Sequence, residues 1–172
     1  MPCSAHILRK YLNHVFVETG TYLGEGVAAA LESGFKNVYT IELSMVFYED
    51  AIKKFSKDDR VRLVHGDSSN CLWDVISGIR EPITFWLDAH CSLGNTAKGE
   101  KMCPLIEELS VIAMHPIKTH TILVDDRRLL GSQYMEPTED DVVRALIKIN
   151  PLYQISYEDG ATTDDIIVAR ER

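Results

Sequence analysis

Three aspartates follow two short apolar runs that read as neighbouring strands. Asp88 ends the run from Ile83 to Asp88, and Asp125 and Asp126 close the run that begins at Thr119. If the two strands lie side by side, the three carboxylates converge on one edge of a sheet. Carboxylates that close repel one another unless a cation sits between them or some are protonated. A hard divalent cation such as Mg²⁺, bound through oxygen, is the natural resolution.

Two basic residues follow the first of these aspartates. His90 titrates near neutrality, so it could take a proton from a reacting hydroxyl or serve as a further metal ligand. Lys98 is the other candidate base, in a polar loop that runs to Cys103. A loop histidine that only hydrogen-bonds locally stays an open alternative for His90.

A glycine-rich turn lies near the start of the chain, in the sequence ETGTYLGEG from Glu18 to Gly26. Glycines between a strand and a helix let the backbone turn tightly and approach a ligand closely. The next two strands also end in acids. Glu42 could accept hydrogen bonds from both hydroxyls of a ribose, and Asp67 lies within reach of an adenine edge. Alone, either acid could be a solvated residue or a helix cap.

Apolar strand-like runs alternate with helical patterns along the whole chain, which predicts a parallel sheet covered by helices. Ser44, Ser68 and Pro104 are expected to begin helices, and Thr138 with Asp141 matches a capping box. The last two strand-like runs have no room for a crossover helix between them, so they should form an antiparallel hairpin. The predicted strands are His14 to Glu18, Asn37 to Leu43, Val61 to His65, Ile83 to Asp88, Thr119 to Asp125, Tyr153 to Tyr157 and Ile166 to Ala169. The expected fold is therefore α/β, a Rossmann-like seven-stranded, mostly parallel sheet with helices on both faces.

Length and charge narrow the class of protein. The 172 residues suit one domain, with a core from about residue 14 to 170. A net charge of −8 argues against nucleic acid as a partner. No apolar run has the roughly 18 residues of a membrane span, and no secretory signal is evident, so we expect a cytoplasmic protein. Its four cysteines are expected to be free thiols, because their spacing fits neither a zinc site nor a disulfide framework.

In these motifs the chain resembles the class I S-adenosylmethionine-dependent methyltransferases, from about His14 to Arg170. The resemblance implies that the glycine turn wraps the methionine end of the cofactor, that Glu42 holds the ribose, and that Asp67 and Ser68 meet the adenine. The sequence departs from the family's commonest first motif at Tyr22, where that motif has glycine. The implied cofactor residues are Glu18, Gly20, Thr21, Tyr22, Gly24, Gly26, Glu42, Leu43, Asp67, Ser68 and Asp88.

The aspartates look like those of cation-dependent small-molecule O-methyltransferases of the catechol and macrolide-sugar types. That resemblance implies that Asp88, Asp125 and Asp126 bind the metal, which orients the substrate hydroxyls. Metal coordination lowers the pKa of a hydroxyl and holds its oxygen in line with the methyl group. Arg127 and Arg128 could recognise an anionic substrate or pair with local acids. The other histidines, among them His115 and His120, are expected to be structural.

The leading hypothesis is thus a Mg²⁺-assisted O-methyltransferase acting on a small hydroxylated molecule. Few residues precede the first strand to enclose a substrate, so the loop after the fourth strand or a second subunit, in a homo-oligomer, would have to do so. One alternative is a non-catalytic module that only binds the cofactor, which the Tyr22 departure favours. Another is different metal-dependent chemistry, such as hydrolysis at Asp88, His90 and Asp125. The glycine spacing does not fit a dinucleotide-dependent dehydrogenase.

Overall fold

The structure is a computed structural model that describes residues 3–88, 103–133 and 135–172. Within these ranges seven strands form one mixed sheet. The strands are β1 (Val15–Thr19), β2 (Asn37–Glu42), β3 (Val61–His65), β4 (Ile83–Leu87), β5 (Thr121–Val124), β6 (Gln154–Glu158) and β7 (Ile166–Arg170). Each agrees with a predicted strand to within two residues at either end. The α-helices are α1 (Ala5–Leu8), α2 (Glu25–Ser33), α3 (Met45–Phe55), α4 (Ser68–Ile76), α5 (Leu105–Met114) and α6 (Glu139–Ile149).

The sheet order is β3-β2-β1-β4-β5-β7-β6. The first five strands are parallel, and β7 runs antiparallel between β5 and β6. This confirms the predicted hairpin and the predicted fold class. The chain order reverses between β1 and β4, and in such sheets ligands bind at the carboxyl ends of the strands near the reversal. Every strand-end residue singled out above lies at or next to that edge.

Helices cover both faces of the sheet, as predicted. Alternate residues of each central strand point to opposite faces, so Val15 and Val17 join one buried cluster while Phe16 joins the other. The cluster containing Val15 includes apolar residues of α4, α5 and α6. The second cluster includes residues of α1 and α2, with Phe55 at the end of α3 packed against it. The central strands are buried on both sides, which explains their almost unbroken apolar sequences.

Helix starts follow the predictions with small shifts. Thr138 and Asp141 form the predicted capping box at α6. Asp67, not Ser68, is the N-cap of α4, because its Oδ1 accepts from the Ser69 N–H. Pro104 occupies the N-cap position of α5 and not its first turn. Ser44 is the N-cap of α3 but makes no side-chain capping bond.

Strand β5 begins two residues later than predicted, and the buried side chain of His120 gives the reason. Its Nδ1 accepts the Ile83 N–H at 3.1 Å, so a side chain and not backbone pairing binds the start of β4 there. Cys3, Cys71 and Cys103 are free thiols, as expected for these three. No helix in the described part of the chain combines the length and hydropathy that a bilayer-spanning segment needs.

Candidate functional site

The glycine turn between β1 and α2 depends on backbone conformations that glycine adopts most easily. Gly20 and Gly24 both have left-handed φ angles, 86° and 78°. The Gly20 N–H donates to the Ile41 carbonyl at 2.9 Å, which ties the turn to the end of β2. A Cβ on Gly24 would lie 2.5 Å from the Phe55 ring, so α3 packs directly against the turn. The turn is thus a fixed feature between the first two strand ends.

Tyr22, the departure from the family's first motif, also adopts a left-handed conformation, with φ 45°. This is the backbone region that favours glycine, and it costs a residue with a side chain roughly 1–2 kcal/mol. Two contacts hold Tyr22 in it. Its N–H donates to Glu42 Oε2 at 2.8 Å, and its ring meets Phe47 edge-on with centroids 4.8 Å apart. The turn therefore keeps the shape of a glycine turn despite the tyrosine.

Glu18 lies buried beneath this turn. A Cβ on Gly26 would lie only 1.7 Å from Glu18 Oε1, so the absence of a side chain at Gly26 makes room for the carboxyl group. The Thr40 hydroxyl donates to Glu18 Oε2 at 2.8 Å, and Thr21 Oγ1 lies 2.5 Å from Thr40 Oγ1. Burial raises the pKa of Glu18 to about 8, and the charges of Asp88 and Glu42 raise it further. The hydrogen bond from Thr40 acts in the opposite direction. A cationic group placed here would favour the carboxylate form.

Glu42 is a buried carboxylate that already organises the turn. Oε2 accepts the Tyr22 N–H and Oε1 accepts the Ser44 N–H at 2.7 Å. A carboxylate has about four lone-pair positions, so both oxygens can accept further bonds. The predicted ribose contact is therefore compatible with the observed bonds. Sequence reasoning did not foresee that Glu42 also holds the glycine turn.

The predicted adenine-side residues Asp67 and Ser68 follow β3, and Leu43, another predicted cofactor residue, follows the neighbouring strand β2. Asp67 accepts both the N–H and the hydroxyl of Ser69, at 3.0 and 2.7 Å, so its helix-cap role is real. Ser68 is buried at the start of α4. Leu43 is half-buried, and its carbonyl accepts from His65 Nε2 at 3.1 Å. These contacts fix the edge of the site that faces β3.

Asp88, Asp125 and Asp126 lie at the ends of β4 and β5, which are neighbours as the prediction required. Asp125 is 2% exposed, and its Oδ1 accepts the Asp126 N–H at 2.8 Å. Its Oδ2 is buried and has no hydrogen-bond partner among the described residues. Burial, followed by the charges of Asp88 and Asp126, raises the pKa of Asp125 to about 8. The crowding of acids inferred from sequence is present.

The acids within ligand distance of one another are a different set from the predicted one. In the described chain, oxygens of Asp125, Asp126 and Asp165 lie within 4.8 Å of one another. Asp165 precedes β7, and the antiparallel pairing of Val124 with Ile167 brings it beside Asp126. Arg128 already neutralises part of this group, since its Nη1 contacts both Asp126 and Asp165. Sequence reasoning missed Asp165, because its position depends on the register of β7 against β5, which the folded sheet fixes.

Glu108 on α5 is a second buried acid that sequence reasoning missed. It is 1% exposed, and its Oε1 has no partner among the residues described. Burial raises its pKa to about 7, although the nearby hydroxyl groups of Ser68 and Thr19 act in the opposite direction. The helical period of Leu105, Leu109 and Ile112 places position 108 on the same buried face. A carboxylate on an apolar helix face was the available signal.

Glu108 and Asp125 line one small cavity of about 10 Å³. The other residues around it are Leu87, Asp88, Cys103, Pro104, Leu105 and Met135. The two candidate bases, His90 and Lys98, lie outside the described residues, so their roles remain predictions.

Comparison with known proteins shows which solved structures have a similar fold. No protein-family model matches the chain, and no curated protein matches it in sequence. Among solved structures, an O-methyltransferase from Bacillus cereus in complex with S-adenosylhomocysteine is 15% identical, with a TM-score of 0.66 over 98% of this chain and 78% of that one. The Podospora anserina methyltransferase PaMTH1, bound to S-adenosylhomocysteine, is 17% identical, with a TM-score of 0.64 over 98% and 76%.

A third solved structure, the O-methyltransferase TomG from Streptomyces achromogenes in complex with S-adenosylmethionine, is 16% identical, with a TM-score of 0.64 over 97% of this chain and 77% of that one. The chain thus has the fold of these methyltransferases, which is the fold that the resemblance implied. At these identities the likeness concerns the fold, and activity has to be argued from the site.

Proposed function

We propose that the protein is an S-adenosylmethionine-dependent methyltransferase that transfers a methyl group to a hydroxyl of a small molecule, assisted by Mg²⁺ or a similar divalent cation. One observation carries the proposal. Glu18 and Asp125 lie at the carboxyl ends of β1 and β5, the strands on either side of β4, and both are buried. Burial raises the pKa of each to about 8. A site built this way suits a cationic ligand, which would favour both carboxylates.

The residues proposed to bind the cofactor follow the edge of the sheet. The turn from Gly20 to Gly26 approaches the methionine end, Glu18 faces its ammonium group, and Glu42 accepts from the ribose. Leu43, Asp67 and Ser68 bound the adenine side. The left-handed backbone of Tyr22 supports this assignment, because the chain turns at this position as it would at a glycine.

The proposed cation ligands are Asp88, Asp125 and Asp126. The buried, unpartnered Oδ2 of Asp125 fits a metal, since such an oxygen otherwise carries an uncompensated desolvation cost. When bound, S-adenosylmethionine supplies the methyl group and the cation supplies Lewis acidity toward the acceptor hydroxyl. The chain's own part is to position the hydroxyl and to accept its proton, for which His90 and Lys98 are the proposed bases.

Calorimetric titration with S-adenosylmethionine and with S-adenosylhomocysteine tests the cofactor assignment. We expect micromolar binding of both that Glu42→Ala abolishes, because the variant loses the ribose acceptor and the bonds to Tyr22 and Ser44. Glu49→Ala, an exposed acid on α3, is the matched control and should bind like the unaltered protein. Thermal unfolding of both variants separates a lost site from a lost fold. Absence of binding by the unaltered protein, with or without Mg²⁺, contradicts the proposal.

A second assay tests the reaction. The protein is incubated with methyl-labelled S-adenosylmethionine and catechol as a probe acceptor, with Mg²⁺ and then with a chelator. Label transfer that the chelator removes supports cation assistance. Transfer that survives the chelator removes the cation from the proposed mechanism and leaves methyl transfer standing.

A further inference from the structure

The described residues offer two acidic groups that could hold a cation, and they differ in how well their charges are already satisfied. The cluster of Asp125, Asp126 and Asp165 includes a guanidinium, because Arg128 Nη1 contacts the last two. Asp165 also accepts the N–H of Arg128 and that of Ala161, both at 3.1 Å. A metal ion bound by all three aspartates would have to displace Arg128. Arg128 therefore already supplies positive charge to that cluster, which makes it the weaker candidate for a metal site.

The cavity between β4, β5 and α5 presents the opposite situation. Glu108 and Asp125 both line it, both are at most 2% exposed, and each has a buried oxygen without a partner in the described chain. Buried polar atoms without partners are rare in folded proteins, and each costs roughly 1–3 kcal/mol. Two of them on one cavity indicate a group that supplies positive charge or donors.

The size of the cavity limits what that group can be. Its 10 Å³ is close to the smallest space that holds one water molecule. A single ion that keeps several waters on its open side suits a space of this size, because Mg²⁺ is commonly held by only one or two carboxylates together with water.

We propose that Glu108 and Asp125 together hold one hard divalent cation in this cavity, with Asp88 on its wall, so that Glu108 takes over part of the role expected of Asp126. The inference rests on the cation dependence proposed above. The two carboxyl groups reach the cavity from different elements, Glu108 from α5 and Asp125 from the end of β5.

Binding of Mn²⁺, followed by electron paramagnetic resonance without any cofactor, tests this assignment. We expect one Mn²⁺ per chain, displaced by Mg²⁺, and a dissociation constant raised about tenfold or more in Glu108→Gln. Glu107→Gln, the neighbouring and less buried acid on α5, should bind as the unaltered protein does. Asp165→Asn should also leave the affinity unchanged, since the proposed site does not use it.

Three results would overturn the inference. The first is that the unaltered protein binds no Mn²⁺, in which case the cavity holds a water molecule. The second is an unchanged affinity for Mn²⁺ in Glu108→Gln, and the third is an affinity for Mn²⁺ that falls in Asp165→Asn and not in Glu108→Gln. If Glu108→Gln does not fold, Glu108→Leu replaces it, because an apolar side chain of similar size needs no partner. The measurement omits the cofactor, so failure here leaves S-adenosylmethionine binding separately testable.

Discussion

A buried histidine pair at the amino end of the sheet and two buried acids at its carboxyl end differ in whether their polar atoms have hydrogen-bond partners. At the amino end, His115 and His120 are fully buried, and every ring nitrogen has a partner. Ile83 donates to His120 Nδ1, His120 Nε2 donates to His115 Nδ1 at 3.0 Å, and His115 Nε2 donates to the Ile79 carbonyl at 3.2 Å. At the carboxyl end, Glu108 and Asp125 keep oxygens without a partner in the described chain.

The contrast distinguishes buried groups that stabilise the fold from buried groups that are suited to binding a ligand. A satisfied buried network stabilises one fold and needs no ligand, whereas unsatisfied buried charges lower stability and indicate a missing partner. The histidine pair thus fulfils the structural role expected of it, and the acidic end fits a site that is completed on binding. The same buried setting accounts for opposite pKa changes: burial lowers the pKa of His120 to about 3 and raises that of Asp125 to about 8.

Breaking the histidine pair should have the largest effect on stability. His120→Leu removes the acceptor of the buried Ile83 N–H and the donor to His115, so the free energy of unfolding should fall by about 3 kcal/mol. Affinity for S-adenosylmethionine should stay unchanged, because the pair lies at the far end of the sheet. Urea unfolding and calorimetry measure the two quantities. A loss of affinity in a folded variant would show that the two ends are coupled.

Asp125→Asn should lower activity without lowering stability, whereas His120→Leu should lower stability without affecting the site. Label transfer to the probe acceptor should fall by about 100-fold, the scale of losing one preorganised electrostatic contact, while cofactor affinity stays nearly intact. Without ligand, the free energy of unfolding should rise at pH 8, because a buried charge near Asp88 and Asp126 is removed. Asp140→Asn, an exposed acid on α6, is the control. Full activity in Asp125→Asn would exclude this residue from the reaction.

The pH dependence of stability should distinguish the two ends. Between about pH 4.5 and 8 the folded protein keeps a proton on Glu18 that the unfolded chain releases, so stability should fall as pH rises through this range. From pH 6.5 to 8 the loss is about 1.5 kcal/mol for this group. Below about pH 6.5 the unfolded chain instead binds a proton that buried His120 does not, so His120 contributes a slope of opposite sign that partly offsets the effect of the buried acids.

Urea unfolding at several pH values checks both slopes. Glu18→Gln should flatten the decline above pH 6.5. His120→Leu should steepen the fall of stability with rising pH between about pH 4.5 and 6.5, because the opposing slope is removed. The same slopes in the variants as in the unaltered protein would show that other groups are responsible.

Substitution of Tyr22 should have the smallest effect and isolate its backbone strain. Tyr22→Ala keeps the left-handed penalty and loses the contact with Phe47, whereas Tyr22→Gly loses the same ring without the penalty. We expect the alanine variant to be less stable than the glycine variant by about 1 kcal/mol. Equal stabilities in thermal unfolding would mean that the turn relaxes around either residue.

The sequence was sufficient for the fold because its strands are marked by apolar runs and turn residues, and because a short polar connection allows only a hairpin. It located Glu18, Glu42 and Asp125 at one edge, since parallel strands end together. It could not locate Asp165 without the register of β7, which only the packed sheet fixes. Glu108 carried one signal, a carboxylate on the apolar face of α5, but its place beside the end of β5 depends on how α5 packs in the folded protein.

The proton balance of cofactor binding tests the central claim most directly. Titration with S-adenosylmethionine at pH 7 in two buffers of different ionisation enthalpy gives the number of protons exchanged. With the pKa of Glu18 near 8 before binding, a cationic ligand beside it should release about one proton for each molecule bound. Binding with no proton release, or with proton uptake, would contradict the claim that the buried acids at the carboxyl end of the sheet receive the cationic cofactor.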